Sequence, residues 1–196
     1  NFIIDDKPDV IVNVVDSTNL ERNLYLTTQI LELDRPVVIA LNMTDVLKKR
    51  GQKADAGKLS EVFGVPVVEI SALQGKGLDE MMRAAAKAAD SPRKGASVVD
   101  KVPAIAAICE SAREKYQRAG ISDIAYRSVK ASEYDSLEKA KHPRIVEAVR
   151  RECNDEVDYE AIVADARYKF IADRCKDVVS GKKEGVKLSK SDKIDR

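Results

Sequence analysis

Three short apolar runs constrain this chain more than any other feature: VIVNVV at Val10 to Val15, PVVIAL at Pro36 to Leu41 and VPVVEI at Val65 to Ile70. Each is rich in Val and Ile, too short for a core helix, and bounded by Asp, Pro, Asn or Gly, which is the pattern of a buried strand. The segments between them change period. Leu20, Leu24, Leu26, Ile30 and Leu33 recur at roughly helical spacing. Thr18-x-x-Glu21 at the head of that segment has the form of a capping box. Asp55 to Phe63 reads as a short helix stopped by Gly64. Leu78 to Ala89 reads as an alanine-rich helix with Leu78, Met81, Met82 and Ala85 on one side. Strands alternating with helices imply α/β architecture, a parallel sheet with helical crossovers.

The pattern changes after residue 90. SPRKGASV, Ser91 to Val98, has the composition of a linker. No further convincing strand follows. Helices are expected over Val102 to Ala119 (closed by Gly120), Ile121 to Lys130, Glu133 to Ala140 and Pro143 to Cys153. A long one is expected over Val157 to Val179, ended by Gly181. The expected organisation is therefore an α/β part at residues 1–90, a linker at 91–96 and an all-helical part at 97–196.

Composition excludes several classes. Thirty-four basic and 33 acidic residues leave a net charge of +1, so there is no basic footprint for nucleic acid. Trp is absent and aromatics make up 5%, too few for base-stacking platforms. Cys109, Cys153 and Cys175 are odd in number and far apart, with no metal-like spacing, which fits a reducing compartment. No apolar run is long enough to span a membrane.

The second strand runs into Asn42-Met43-Thr44-Asp45. In open parallel sheets, ligands bind beyond the carboxyl ends of the strands. Guanine presents two adjacent donors, the ring N–H and the exocyclic amine, and an ionised Asp45 presents two acceptors at matching spacing. Adenine has an acceptor where guanine has its ring donor, so it would leave the carboxylate facing a lone pair. Asn42 both donates and accepts, so it can tie this loop to its neighbour. Taken alone, Asn and Asp after a strand serve equally well to cap a helix or build a turn. The third strand supplies a companion loop, Ser71-Ala72-Leu73 followed by QGKG, of the form Ser-Ala-x-x-Gly-x-Gly. A loop of this form before an amphipathic helix resembles the companion base-binding loop of many small GTPases, which points backbone N–H groups at the guanine carbonyl oxygen; the small Ala72 would allow close approach. Consecutive parallel strands bring both loops to one sheet edge.

DSTNLERNLYLT, Asp16 to Thr27, together with Met43 in the slot where most GTPases carry Lys, resembles the bacterial ferrous iron transport protein B family. A Met supplies the apolar contact of the Lys stem without its charge. The resemblance extends through Ser71-Ala72 to ADARYKFIADRC, Ala164 to Cys175, and to LSKSDKIDR, Leu188 to Arg196. It implies a Ras-like G domain that binds GTP or GDP with Mg²⁺, then a helical domain resembling a GDP-dissociation inhibitor. A membrane-spanning iron transport domain would follow, with the present residues at the cytoplasmic face of the bacterial inner membrane. Asn42, Met43, Asp45, Ser71, Ala72 and Leu73 would hold the nucleotide.

A complete G domain also needs a Gly-x-x-x-x-Gly-Lys-Ser/Thr phosphate loop, a switch Thr and an Asp-x-x-Gly. None is in the sequence. GQKADAGKLS, Gly51 to Ser60, has five residues between its glycines and Leu59 after its Lys. In family terms the chain begins after the second switch, as a piece of a longer protein, and alone it is expected to hydrolyse no GTP. Its sheet would expose an edge to be covered by the upstream half of the G domain or by self-association. Two rival readings stay open: a helical spacer or interaction module with a vestigial nucleotide lobe, and a different GTPase such as a ribosome-assembly factor. Near-neutral charge speaks against the latter.

Other residues read as structural. Asp16 is expected to cap a helix, His142 to precede a helix starting at Pro143, and the three cysteines to pack. Tyr168, Phe170 and Ile171 are expected to be core, and the lysine-rich tail from Lys182 to be a juxtamembrane segment.

Overall fold

The computed structural model describes residues 2–91, 97–99 and 102–181. The proposed linker at 91–96 (beyond Ser91) and the lysine-rich tail from Lys182 lie outside them. Strands β1 (Ile11–Asp16), β2 (Val37–Asn42) and β4 (Val67–Glu69) form a parallel sheet in the order β1-β2-β4. Burial explains why the strands read differently in sequence. Central β2 is covered on both faces, so Val37 to Leu41 are all buried and form a continuous apolar run. β1 pairs only with β2 among the described residues; Ile11, Asn13 and Val15 are buried, whereas Val14 is 55% exposed.

Helix α2 (Leu20–Ile30) covers one face of the sheet. Leu20, Leu24 and Ile30 join Ile11, Val15, Ile39 and Leu41 in the principal core, with Leu59 and Phe63 of α4 (Ala56–Phe63). α5 (Leu78–Asp90) packs on β2 and β4 through its small residues, Ala85 and Ala88 being buried. The N-terminal α1 (Phe2–Asp6) sets Ile3 and Ile4 against the principal core. Two of the apolar positions placed on the helix stripes face outward. Leu26 is 54% and Met82 62% exposed, since each lies one step off the buried stripe of its helix.

Capping also differs at one point. The Thr18–Glu21 box does not form; instead Asp16 Oδ1 accepts from the Thr18 N–H and hydroxyl, both at 2.8 Å, fixing a 3₁₀ turn at Ser17–Asn19 before α2. Asp55 caps α4 by accepting from the Lys58 N–H at 3.0 Å, and Gly64 ends it at φ 71°. The Gly51–Ser60 stretch is therefore a strand leading into a capped helix, with no phosphate-type loop.

The helical part holds α6 (Pro103–Arg118), α7 (Ile124–Ser132), α8 (Ser136–Lys141), α9 (Pro143–Arg150) and α10 (Tyr159–Cys175). Pro143 opens α9 as expected. A buried network organises the bundle: the Tyr116 hydroxyl donates to Glu138 Oε1 at 2.9 Å, and Arg127 Nη1 donates to both Glu138 oxygens at 3.1 and 3.0 Å. Cys109 packs with Ile105, Val129 and Val163, and Cys175 lies in the principal core. Burial pushes both thiols up to about 11.

α10 is shorter than expected, and the chain after it makes a strand that the sequence pattern did not announce. β5 (Val179–Gly181) pairs antiparallel with β3 (Gln52–Ala54), another unforeseen strand. Only glycine fits at 181, where an added Cβ would stand 2.3 Å from the Gly51 carbonyl oxygen and φ is 116°. α10 thus serves both parts. Tyr159 and Val163 belong to a helical core, while Ile171, Cys175 and Val178 belong to the core of the sheet. Of the three residues expected as core here, Ile171 is buried and Phe170 sets its ring edge-on to Phe63. Tyr168 is 56% exposed and stacks on Tyr25. Midway along α10, the fully buried Arg167 donates through Nη2 to both oxygens of Glu32, at 3.0 and 2.7 Å.

Candidate functional site

β2 delivers Asn42 to the carboxyl end of the sheet. The chain then turns through Met43, at φ 64°, and enters α3 (Thr44–Lys49). A left-handed Met is an uncommon conformation, and it places Thr44 and Asp45 in the first helical turn. β4 delivers Ser71 to the same end, because Ile70 N–H donates to Leu41 O at 2.8 Å and prolongs the pairing. The loop after it closes on itself. Ser71 N–H donates to Lys76 O at 3.0 Å and Lys76 N–H returns to Ser71 O at 3.1 Å, around a 3₁₀ turn at Ala72–Gln74. Gly77 is obligatory: at φ 74°, a Cβ there would meet the Glu69 carbonyl oxygen at 2.2 Å.

Three hydrogen bonds lock the two loops together. Ala72 N–H donates to Asn42 Oδ1 at 3.1 Å, Thr44 Oγ1 donates to Ile70 O at 3.3 Å, and Gln74 Nε2 donates to Asp45 Oδ2 at 3.2 Å. The first commits the Asn42 carbonyl oxygen and leaves its Nδ2 donor. The third holds one oxygen of a half-buried carboxylate. Ser71 is buried, and its hydroxyl has no hydrogen-bond partner among the described residues. Met43 is 42% and Leu73 94% exposed, so the shelf has apolar rims facing out.

All six residues singled out in the sequence therefore lie on these two loops, with Asn42 bonded directly to Ala72. Gln74 was not foreseen. Its position in SALQGKG carries no signal, because its reach to Asp45 depends on the 3₁₀ turn and on Gly75 at φ 65°. Two apolar hollows lie elsewhere. One of about 210 Å³ sits among Pro36, Val37, Pro66 and Ala88, at the strand ends opposite the shelf. The other, about 340 Å³, lies between Ile3, Ile4, Leu26 and Tyr126. Lys87 and Ser91 also line the first and Gln29 the second, but both linings are mostly apolar, whereas the shelf gathers several polar groups at one sheet edge. Among the described residues, no helix is long and apolar enough to cross a membrane.

Comparison with known proteins bears on the family and the fold. The family model described as ferrous iron transport protein B matches residues 1–85. The Fe(2+) transport protein A/Fe(2+) transporter FeoB fusion protein of Porphyromonas gingivalis is 33% identical over 96% of this chain and 24% of its own length. The chain spans about a quarter of the length of the curated relatives it matches. Among solved structures, the GDP-bound S. thermophilus FeoB G domain (a point mutant) is 35% identical with TM-score 0.79, over 91% of this chain and 72% of that one. The cytosolic domain of L. pneumophila FeoB is 29% identical, also with TM-score 0.79, over 91% and 71%. With this α/β sheet and its helices matched over nine-tenths of the chain, the protein belongs to the ferrous iron transport protein B (FeoB) family.

Proposed function

We propose that residues 1–90 supply the base-reading half of a G domain in a membrane-tethered GTP-binding protein that regulates ferrous iron uptake. The observation that carries this reading is the interlocked pair of loops, with Asn42 bonded to Ala72 and Asp45 beside Gln74 at the carboxyl end of β2 and β4. Asp45 accepts from the two donors of guanine, charge-assisted on both oxygens. Asn42 Nδ2 donates toward the purine edge while its oxygen holds the companion loop. Met43 and Leu73 flank the ring, and Ala72 lets the backbone approach. The unpartnered Ser71 hydroxyl is a further polar atom that a bound base or water can satisfy. That a GDP-bound FeoB G domain shares this fold supports the reading.

The phosphates and Mg²⁺ have no ligands in this sequence, so an upstream segment of the same protein supplies them. It covers the edge of β1 that has no strand partner among the described residues. Without it, phosphoryl transfer lacks its positioning and electrostatic groups, and these 196 residues alone hydrolyse no GTP. Residues 97–196 form the helical domain that tunes nucleotide affinity and leads to a membrane-spanning iron transport domain at the cytoplasmic face. The test is a base panel on the full-length protein. GDP should bind tightest, IDP (lacking the exocyclic amine) about tenfold or more weaker, and ADP weakest, since each good bidentate base contact discriminates by roughly 10- to 100-fold. Equal affinity for GDP and ADP would contradict the reading and leave the chain a spacer or interaction module.

A further inference from the structure

The positive charge of this chain is unevenly placed. Residues 48–58 hold five bases, Lys48, Lys49, Arg50, Lys53 and Lys58, against one acid, Asp55. Residues 182–196 hold six bases against three acids. The net charge of the whole chain is only +1, so the rest of it is net acidic. All five bases of the first group are exposed. Lys48 stands 3.6 Å from Glu69, and Lys58 Nζ donates to the Asp177 carbonyl oxygen at 3.4 Å. Asp55 is occupied in capping α4. Lys49, Arg50 and Lys53 have no ion-pair partner among the described residues. Helix stability does not explain the group. Bases suit the last turn of α3, where Lys48 and Lys49 lie. Lys53 is in a strand, and Lys58 sits in the first turn of α4, where a positive charge opposes the helix dipole.

The turn between α3 and β3 also touches the last described residue. β5 pairs with β3 so that Lys53 faces Ser180 and Gln52 faces Gly181. Gly181 is pressed against Gly51, whose carbonyl oxygen an added Cβ would approach to 2.3 Å. In sequence the second basic group follows at once, with Lys182 and Lys183. We propose that the α3–β3 turn, with Lys49, Arg50, Lys53 and Lys58, is a docking face for the anionic lipid headgroups of the bilayer to which the chain leads. This rests on the membrane-tethered reading above, in which the face stands at the root of the tether. Each base brought within a Debye length of an anionic leaflet, about 8 Å at physiological salt, multiplies the bound-to-free ratio by about fivefold. The tether makes that attraction intramolecular, so the modest affinity of a few bases suffices. Docking fixes which side of the G domain faces the membrane. A nucleic acid is the less favoured polyanion, because the net acidic remainder of the surface repels a long duplex.

Lysine acetylation footprinting of the full-length protein in lipid nanodiscs tests this, read peptide by peptide by mass spectrometry. The discs are phosphatidylcholine alone, or phosphatidylcholine with about one third phosphatidylglycerol. Lys49 and Lys53 should react at least about threefold more slowly in the anionic discs, and about 0.5 M salt should remove the difference. The internal control is Lys87, exposed on α5, which packs on β2 away from the core that holds Ala54 and Val178. It should react alike in both discs. Arg50→Gln combined with Lys58→Gln removes two bases and keeps both probes. It should lower the bound-to-free ratio about 25-fold and abolish the protection. Equal reactivity in the two discs, protection of Lys87 as strong as that of Lys53, or protection that survives the double substitution would overturn the docking face. Protection by duplex RNA without protection by anionic discs would overturn it in favour of a nucleic-acid face. A full-length protein that does not stay with the discs on size exclusion would overturn the membrane tether itself, so the two failures are distinguishable.

Discussion

Two carboxylates of this chain are held by side chains from remote segments, and they are held very differently. Asp45 is half-buried, and one of its oxygens takes a single exposed bond from Gln74. Glu32 is 3% exposed, and both its oxygens are held by Arg167, itself fully buried. An exposed contact costs little to break, because water replaces it. A buried ion pair is costly to break, because the partner left behind is an uncompensated charge. The comparison sets a contact that water can replace, at Asp45, against one that it cannot, at Glu32. The second lies where α2 meets α10, so it joins the sheet to the helical part. Around it lie Glu133, 3.9 Å from Arg167 Nη1, and the Tyr25 ring, 5.8 Å from the guanidinium carbon. Further ties run alongside, such as Asp34 N–H donating to Asp123 Oδ1 at 3.2 Å.

Breaking the buried joint should produce the largest effect. Arg167→Ala strands Glu32 and should destabilise the fold by about 3–5 kcal/mol, measured by urea denaturation. A change below about 1 kcal/mol would mean that water reaches the pair. The same joint should sharpen the comparison through pH. Burial outweighs the attraction of Arg167 and raises Glu32 from 4.5 to about 7. The unfolded chain therefore loses this proton first, and between about pH 4.5 and 7 the folded state binds more protons. Stability through Glu32 falls as pH rises across that window and is flat above it, by up to about 1.4 kcal/mol per pH unit. The difference between wild type and Glu32→Gln across pH isolates this slope from other titrating groups; parallel curves would refute it. At the other extreme, Asp45→Asn should change stability by no more than about 0.5 kcal/mol in the same denaturation, as for surface substitutions. Its effect belongs to ligand selectivity.

The legibility of this fold in sequence follows from how local each signal is. β2 was visible because burial on both faces demands an unbroken apolar run, and α4 because Asp55 and Gly64 punctuate it. The loops Asn42–Asp45 and Ser71–Leu73 were visible because their signals sit in consecutive residues. β3 and β5 were not: Gln-Lys-Ala and Val-Ser-Gly have no alternation, and they are strands only because folding brings residues 52–54 and 179–181 together. Arg167 was hidden for a related reason. It lies on a helix otherwise rich in charge, and only the approach of Glu32 makes its burial tolerable. Gln74 was hidden because side-chain reach across loops is set by turn geometry that its neighbours do not encode. Nor does the change of pattern near residue 90 reveal that the far end of α10 returns to the first core, through Ile171 and Cys175.

One exchange experiment decides whether Asp45 reads guanine. In the full-length protein, Asp45→Asn replaces one acceptor with a donor, and xanthine replaces one guanine donor with an acceptor. The variant should lose GDP affinity by roughly 10- to 100-fold and recover binding with XDP, because the exchanged hydrogen-bond pattern is again complementary. Unchanged preference for GDP over XDP in a folded Asp45→Asn protein would contradict it.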